Sequence, residues 1–130
     1  MKRIVKAGLC LMCGGKMLLA RSKGDAHFQI PGGKIEPGET DLKALVREIQ
    51  EELALSLDPG IARFVDQFVA KAAGREDVLV EVRLYEAELN GAPQASIEIA
   101  DLSWQDPAHP SVPCSDVVRL HILPYLARRG

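Results

Sequence analysis

Between residues 41 and 54 the apolar side chains recur at the spacing of one helix face, and that run constrains the rest of the chain. Leu42, Leu45, Val46, Ile49 and Leu53 form one narrow stripe on a helical wheel, and a stripe of that kind must face a core. Thr40 is a fitting N-cap, and Asp41 suits the positive end of the helix. Glu48, Glu51 and Glu52 share one flank, with Glu52 directly against the apolar edge. Glu48 stands at i+3 from Glu51 and i+4 from Glu52, where like charges cost about 0.2–0.5 kcal/mol per pair. The acids also crowd the C-terminal half, where the macrodipole disfavours negative charge. Selection for helix stability alone does not gather acids there. A bound divalent cation reverses the sign of this electrostatic cost, because Mg²⁺ takes clustered hard oxygen ligands. The alternative for the helix taken alone is a solvated acidic face, with Arg47 pairing Glu51 at i+4.

Around this helix the chain is mostly strand. Residues 3–13 and 16–21 read as two strands across Gly14-Gly15, the strongest hairpin signal present. A polar loop follows at 22–26, then a short extended piece at 28–30, and Pro31-Gly32-Gly33 breaks the chain. After the helix, Asp58-Pro59-Gly60 ends the unit. Residues 61–73 and 77–89 read as strands joined by a turn at Gly74, and Asn90-Gly91 marks another turn. A short strand is expected at 102–105. Beyond Pro107, Pro110 and Pro113 comes a last helix over 115–128, with Pro124 positioned to kink it. The order is mixed α and β, with more strand than helix.

With 130 residues, one domain is expected. Hydrophobic residues at 47% and charged residues at 26% exclude a disordered chain. Sixteen Lys and Arg against eighteen Asp and Glu leave a net of −2. That balance excludes duplex nucleic acid or an anionic membrane as the main partner, since both need a basic face. It leaves room for a small phosphorylated ligand. No basic start precedes an apolar run, and no apolar run is long enough to span a bilayer, so a cytoplasmic, non-membrane protein is expected. Of three cysteines, Cys10 and Cys13 form a C-x-x-C without a second pair to complete a zinc site. They read as two buried strand thiols, with a redox pair as the alternative.

The lead-in to the helix adds chemistry. Gly32-Gly33 lets bare backbone approach a ligand, and Glu39 supplies a fourth acid. The segment runs Gly33, five residues, Glu39, seven residues, Arg47-Glu48-Ile49, one residue, Glu51-Glu52, one residue, Ala54-Leu55. This resembles the Nudix box, a 23-residue signature over residues 33–55, with Ala54 where the family usually has Gly. The resemblance continues outside the box. Phe28-Gln29-Ile30-Pro31 matches the strand leading into Pro-Gly-Gly, and Ile97-Glu98-Ile99 precedes Trp104 as an acidic stretch precedes a Trp-bearing strand in the family. The whole chain, 1–130, looks like one minimal MutT-like Nudix domain.

The resemblance implies an α+β fold, an α/β/α sandwich around a central mixed β-sheet. It implies hydrolysis of a pyrophosphate bond in a nucleoside diphosphate-linked substrate, with Mg²⁺ or Mn²⁺. Glu48 and Glu52 would be the main metal ligands, with Glu51 beside them and the Gly33 carbonyl completing the shell. Arg47 would orient the acids by pairing with Glu39 or Glu51. A glutamate of the cluster, or Glu98, would take the proton from the attacking water. Arg21, Lys23 and Lys34 are candidate phosphate contacts, Phe28 a candidate for base stacking, and Asp116 a candidate reader of a base edge. His27 beside Phe28 stands either at the site mouth or in an exposed loop. The substrate expected is a (deoxy)nucleoside triphosphate, cleaved to monophosphate and pyrophosphate. ADP-ribose, a sugar nucleotide or a dinucleoside polyphosphate is the alternative, and a non-catalytic nucleotide-sensing module is a third. The expected partner is a nucleotide rather than a nucleic acid polymer or membrane, bound by a monomer or homodimer.

Overall fold

The structure is a computed structural model that describes residues 1–72, 74–88 and 91–129. Strand β1 (Lys2–Cys10) runs parallel to β6 (Arg75–Glu86) and antiparallel to the short β4 (Gly32–Lys34). β6 also pairs antiparallel with β5 (Arg63–Ala72), giving a mixed sheet of order β4-β1-β6-β5. β2 (Met12–Cys13), β3 (Lys16–Ser22) and β7 (Ile99–Gln105) form a second, antiparallel sheet of order β2-β3-β7. Helix α1 (Asp41–Leu53) and helix α2 (Leu123–Arg129) complete the α+β fold.

Strand alternation explains the layers. Ala7, Leu9 and Leu18 point to one side and pack with Ala44, Leu45, Ile49 and Leu53 of α1. Cys10, Met17, Leu19, Val82 and Leu84 point to the other, where Val118, Ile122, Leu123 and Leu126 cover them. Each core draws on both sheets, so the helices sandwich a middle layer. That layer is divided into two sheets rather than one. Among the described residues no helix is long and apolar enough to cross a membrane.

Several expected boundaries move, each for a local reason. The strand expected over 3–13 breaks at Leu11, where the chain leaves one sheet for the other and the Leu11 carbonyl accepts from the Leu18 N–H. Gly14 and Gly15 both have positive φ, as a tight two-residue hairpin turn demands. The break also separates the two cysteines: Cys10 is buried, but Cys13 is exposed, which corrects the reading of two buried thiols. Burial pushes the Cys10 thiol up to about 11. Residues 28–30 make only isolated bridges, to Ala20 and Cys114, whereas Gly32 and Gly33 of the expected break Pro31-Gly32-Gly33 belong to strand β4. A Cβ on Gly32 would run into the Ala7 carbonyl, so only glycine permits this pairing.

A 3₁₀ turn at Pro59–Ile61 delays β5 to Arg63, and β6 begins early because Gly74, with φ of 69°, turns tightly. Ala73, Leu89 and Asn90, on which parts of the expected strands and the Asn90-Gly91 turn fall, lie outside the described residues. β7 begins at Ile99 rather than 102. The last helix starts as a wide π segment, Val117–Ile122, before α2. Pro124 has no N–H to return an α-type bond to Leu120, in keeping with a loosened turn just before it.

α1 follows expectation closely. Thr40 Oγ1 accepts from the Lys43 N–H at 3.2 Å, and Ala54 closes the helix in the left-handed region, φ 55° and ψ 35°. A left-handed conformation costs an L-residue about 1–2 kcal/mol that glycine escapes. Ala54→Gly is therefore expected to stabilise the chain by about 1 kcal/mol, read as a higher denaturant midpoint at unchanged m-value.

Candidate active site

Arg47 organises the acidic flank of α1. Its Nε and Nη2 donate to the two carboxylate oxygens of Glu39 at 2.9 and 2.8 Å, a bidentate fork. Nη1 donates to Glu48 Oε1 at 2.8 Å, and Nη2 also donates to the Lys34 carbonyl at 3.1 Å. Glu51 lies farther off, 3.6 Å from Nη1, with an exposed side chain. Of the two partners expected for Arg47, Glu39 takes the fork. The guanidinium, helped by the Glu36 N–H, holds the Glu39 carboxyl down at about 2.

Glu48, once fixed, lies against the backbone of β4. A Cβ on Gly33 would sit 2.5 Å from the Glu48 Cδ, so the absent side chain is what lets the carboxylate approach the main chain. Gly33→Ala is expected to displace Glu48 and weaken Mn²⁺ binding on the order of 10–100-fold, measured by calorimetry, with little change in thermal midpoint.

Glu52, one turn on, accepts from the Gly32 N–H at 2.9 Å. Its burial, opposed by that hydrogen bond and aided by repulsion from Glu48, raises its pKa to about 7. The C-terminal end of the helix is held in turn by the segment before β7. Gln94 and Ser96 donate their N–H groups to the Leu53 and Glu52 carbonyls at 2.9 and 3.0 Å, satisfying two otherwise orphan acceptors. Two residues beyond this tether, the Glu98 carbonyl accepts from the Lys23 N–H at 2.9 Å. The Glu98 and Lys23 side chains are exposed.

Gly32, Gly33 and Glu52 line a cleft with Lys6, Ser22, Asp25 and Gln29. A second cavity shares Lys6 and Gln29 and is also lined by Lys34, Lys71, Ser115 and Asp116. Ser115 Oγ donates to Gln29 Oε1 at 2.7 Å. Asp116 pairs with Arg119 at 3.0 Å. Lys34 is exposed beside Gly33, and Arg21 donates to the Asp25 carbonyl at 3.1 Å. Phe28 does not offer a stacking face: it is 4% exposed, and the Arg21 guanidinium lies over its ring, 5.8 Å from the centroid. Core packing claims it instead. His27 is in an exposed loop.

Lys6 and Gln29 escaped sequence reasoning. Lys6 occupies the strand phase of Gly8 and Cys10, an inward phase, and a lysine there was the available signal. Burial lowers its pKa, against the pull of Glu52.

The donor set suits a hard divalent cation. Glu48 and Glu52 present carboxylates one turn apart beside bare glycine backbone. Among the described residues no three His, Cys, Asp or Glu side chains converge on one point, so the helix offers an open pair rather than a closed cage.

A model of the NUDIX domain family matches residues 2–124. The 8-oxo-dGTP diphosphatase of Escherichia coli (strain K12) is 38% identical over 61 residues, 43% of this chain and 47% of that protein. The CTP pyrophosphohydrolase of the same organism is 36% identical over 74 residues, 54% of this chain and 50% of that protein. The chain thus spans half or less of the length of these curated relatives. Among solved structures, the E. coli ORF135 protein aligns with a TM-score of 0.77 and 27% identity, covering 100% of this chain and 93% of that one. The MutT NUDIX hydrolase from Burkholderia pseudomallei shares the fold at a TM-score of 0.78 and 22% identity, with 98% of both chains covered. Residues 2–124 contain every member of the acidic site and both cavities beside it, and the chain belongs to the NUDIX domain family.

Proposed function

We propose that this chain is a metal-dependent pyrophosphohydrolase that cleaves a (deoxy)nucleoside triphosphate to the monophosphate and pyrophosphate. The observation that carries the reading is the Arg47 clamp, which holds Glu39 and Glu48 in place beside Glu52 and the bare Gly32-Gly33 backbone. The similarity to relatives named for 8-oxo-dGTP and CTP supports a nucleotide substrate.

Glu48 and Glu52, with the Gly33 carbonyl, would hold Mg²⁺ or Mn²⁺, and Glu51 on the exposed turn stands ready beside them. When bound, the cation supplies the positive charge that draws a polyphosphate onto an acidic surface and withdraws electrons from its phosphoryl oxygens. The chain's own residues do the rest. Arg47 keeps Glu48 from turning away, because its fork is already anchored on Glu39. Glu51 or Glu98, both exposed acids, takes a proton from water as it attacks phosphorus. Attack forms one P–O bond and breaks the P–O–P bridge, and the departing pyrophosphate carries away the electron pair. Lys6 and Lys34 line the cavity beside the cleft, and Arg21 near the end of β3 and Lys23 just after that strand would join them in neutralising phosphate charge. Asp116, which lines the second cavity, would accept from an exocyclic amino group of a base bound there.

Product analysis across triphosphates, sugar nucleotides, ADP-ribose and dinucleoside polyphosphates with Mg²⁺ or Mn²⁺ tests the reading. Monophosphate and pyrophosphate from a triphosphate support it. AMP with ribose 5-phosphate from ADP-ribose shifts it to that alternative. No turnover on any of them refutes it.

A further inference from the structure

Glu81 stands in the middle of β6 with 4% of its surface exposed, an acid where a strand ordinarily buries an apolar side chain. Two arginines hold it: Arg3 Nη1 donates to Oε1 at 2.8 Å and Arg83 Nε to Oε2 at 2.9 Å. Arg83 then reaches the catalytic helix, Nη1 donating to Asp41 Oδ1 at 2.9 Å. The Tyr85 hydroxyl donates to the other oxygen, Asp41 Oδ2, at 2.8 Å. Glu81, Arg83 and Tyr85 alternate along β6 and so share the face that α1 covers. The Tyr85 ring is itself set edge-on against Phe64, centroids 5.4 Å apart.

Such a group is an expensive way to stabilise a sheet. A buried ion set is often no better for stability than apolar residues of the same volume, and what it adds is directional. Hydrophobic packing has no preferred direction, so on its own it leaves a helix room to slide or roll over a sheet. Asp41 is the first residue of α1, two residues beyond the Glu39 that grips Arg47. The far end of α1 is held by Gly32, Gln94 and Ser96. Glu48 lies between these two fixed ends, about 10 Å along the axis from Asp41 at the rise of an α-helix. A shift at Asp41 is therefore passed along a rigid element to the carboxylates at the cleft.

We infer that Arg83, backed by Glu81 and seconded by Tyr85, is a positioning residue that sets the axial and rotational placement of α1 for catalysis. The kinetic part of this inference rests on the hydrolase reading above; the structural part does not.

Arg83→Met keeps the aliphatic stem and removes the fork. It is expected to lower kcat about 10–100-fold with KM within about twofold, since small misplacements of reacting groups have effects of that order. Asp41→Asn keeps one acceptor oxygen for Arg83 but loses the second oxygen and the charge, so it is expected to lower kcat about three- to tenfold, between the parent and Arg83→Met. In the metal-free protein, amide exchange in the first two turns of α1 should quicken in Arg83→Met while β1 and the centre of β6 stay protected. Tyr85→Phe keeps the ring pair and should show the same changes at about three- to tenfold in kcat, as befits one lost hydrogen bond to a carboxylate. It decides the matter should Arg83→Met not fold. Unchanged exchange in α1, or a fall confined to KM, overturns the inference. A parent protein that hydrolyses nothing refutes the hydrolase reading instead, and the exchange comparison still decides the anchoring.

Discussion

Glu52→Gln is expected to abolish most turnover, by about 10³-fold or more, and at the same time to make the metal-free protein more stable at pH 8. The two effects have one cause. Glu52 is half-buried beside another acid, and its carboxyl, pushed up to about 7 from an ordinary 4.5, holds its proton more tightly in the folded chain than in the unfolded one. Between those two values the folded state binds the extra proton, so stability falls as pH rises through the window. It is fully present below about 4.5 and lost above about 7. A displacement of that size corresponds to at most about 3 kcal/mol. Glutamine keeps an oxygen to accept from the Gly32 N–H and carries no charge to desolvate. Chemical denaturation should therefore show Glu52→Gln above the parent at pH 8 and level with it near pH 4.5. Saturating Mg²⁺ should close or invert the gap, because only the parent gains from binding it. Equal stabilities at pH 8 would refute the idea that this carboxylate is held against its own preference for a ligand.

Removing Arg47 should be nearly as damaging to turnover, and for a geometric reason. Three of its donor contacts go to Glu39 and Glu48 and a fourth to the Lys34 carbonyl, joining α1 to β4, the strand that carries Gly33. Arg47→Met should lower kcat on the order of 10²–10³-fold, the range expected when a catalytic group loses its orientation. Arg47→Lys keeps the charge but has no planar fork to span Glu39 and Glu48, so it should recover only a small part. The Glu39 carboxyl gives an independent readout. Its pKa of about 2 depends first on the Arg47 bond, and by NMR titration it should rise toward 4.5 in Arg47→Met. A Glu39 that still titrates near 2 would show that the clamp is not what holds it.

The local part of the site was legible in residue spacing. The helix, its Thr40 cap and the common flank of Glu48, Glu51 and Glu52 follow from a period of 3.6, and the structure places them as expected. The two-residue turn at Gly14-Gly15 was legible for the same reason: it depends on a few adjacent backbone angles. Strand β4 was not, because nothing local makes Gly32–Lys34 a strand. It becomes one by pairing with Lys6–Gly8 of β1, and a glycine pair looks like a break until that partner is known. Phe28 was misplaced for a similar reason, since burial under Arg21 and against Cys114 depends on segments far away in the chain. The division of the cysteines followed the switch between sheets at Leu11, another non-local event.

The sequence by itself determined that an acidic helix face follows a glycine pair, since period and spacing are properties of adjacent residues. Only the tertiary structure decided which acid Arg47 grips, that Glu52 is half-buried, and that Lys6 and Gln29 join the cleft. Those outcomes depend on which strands meet. Pairing β1 with β4 and β6 brings together groups far apart in the chain, and desolvation and hydrogen bonding then act on whatever is adjacent.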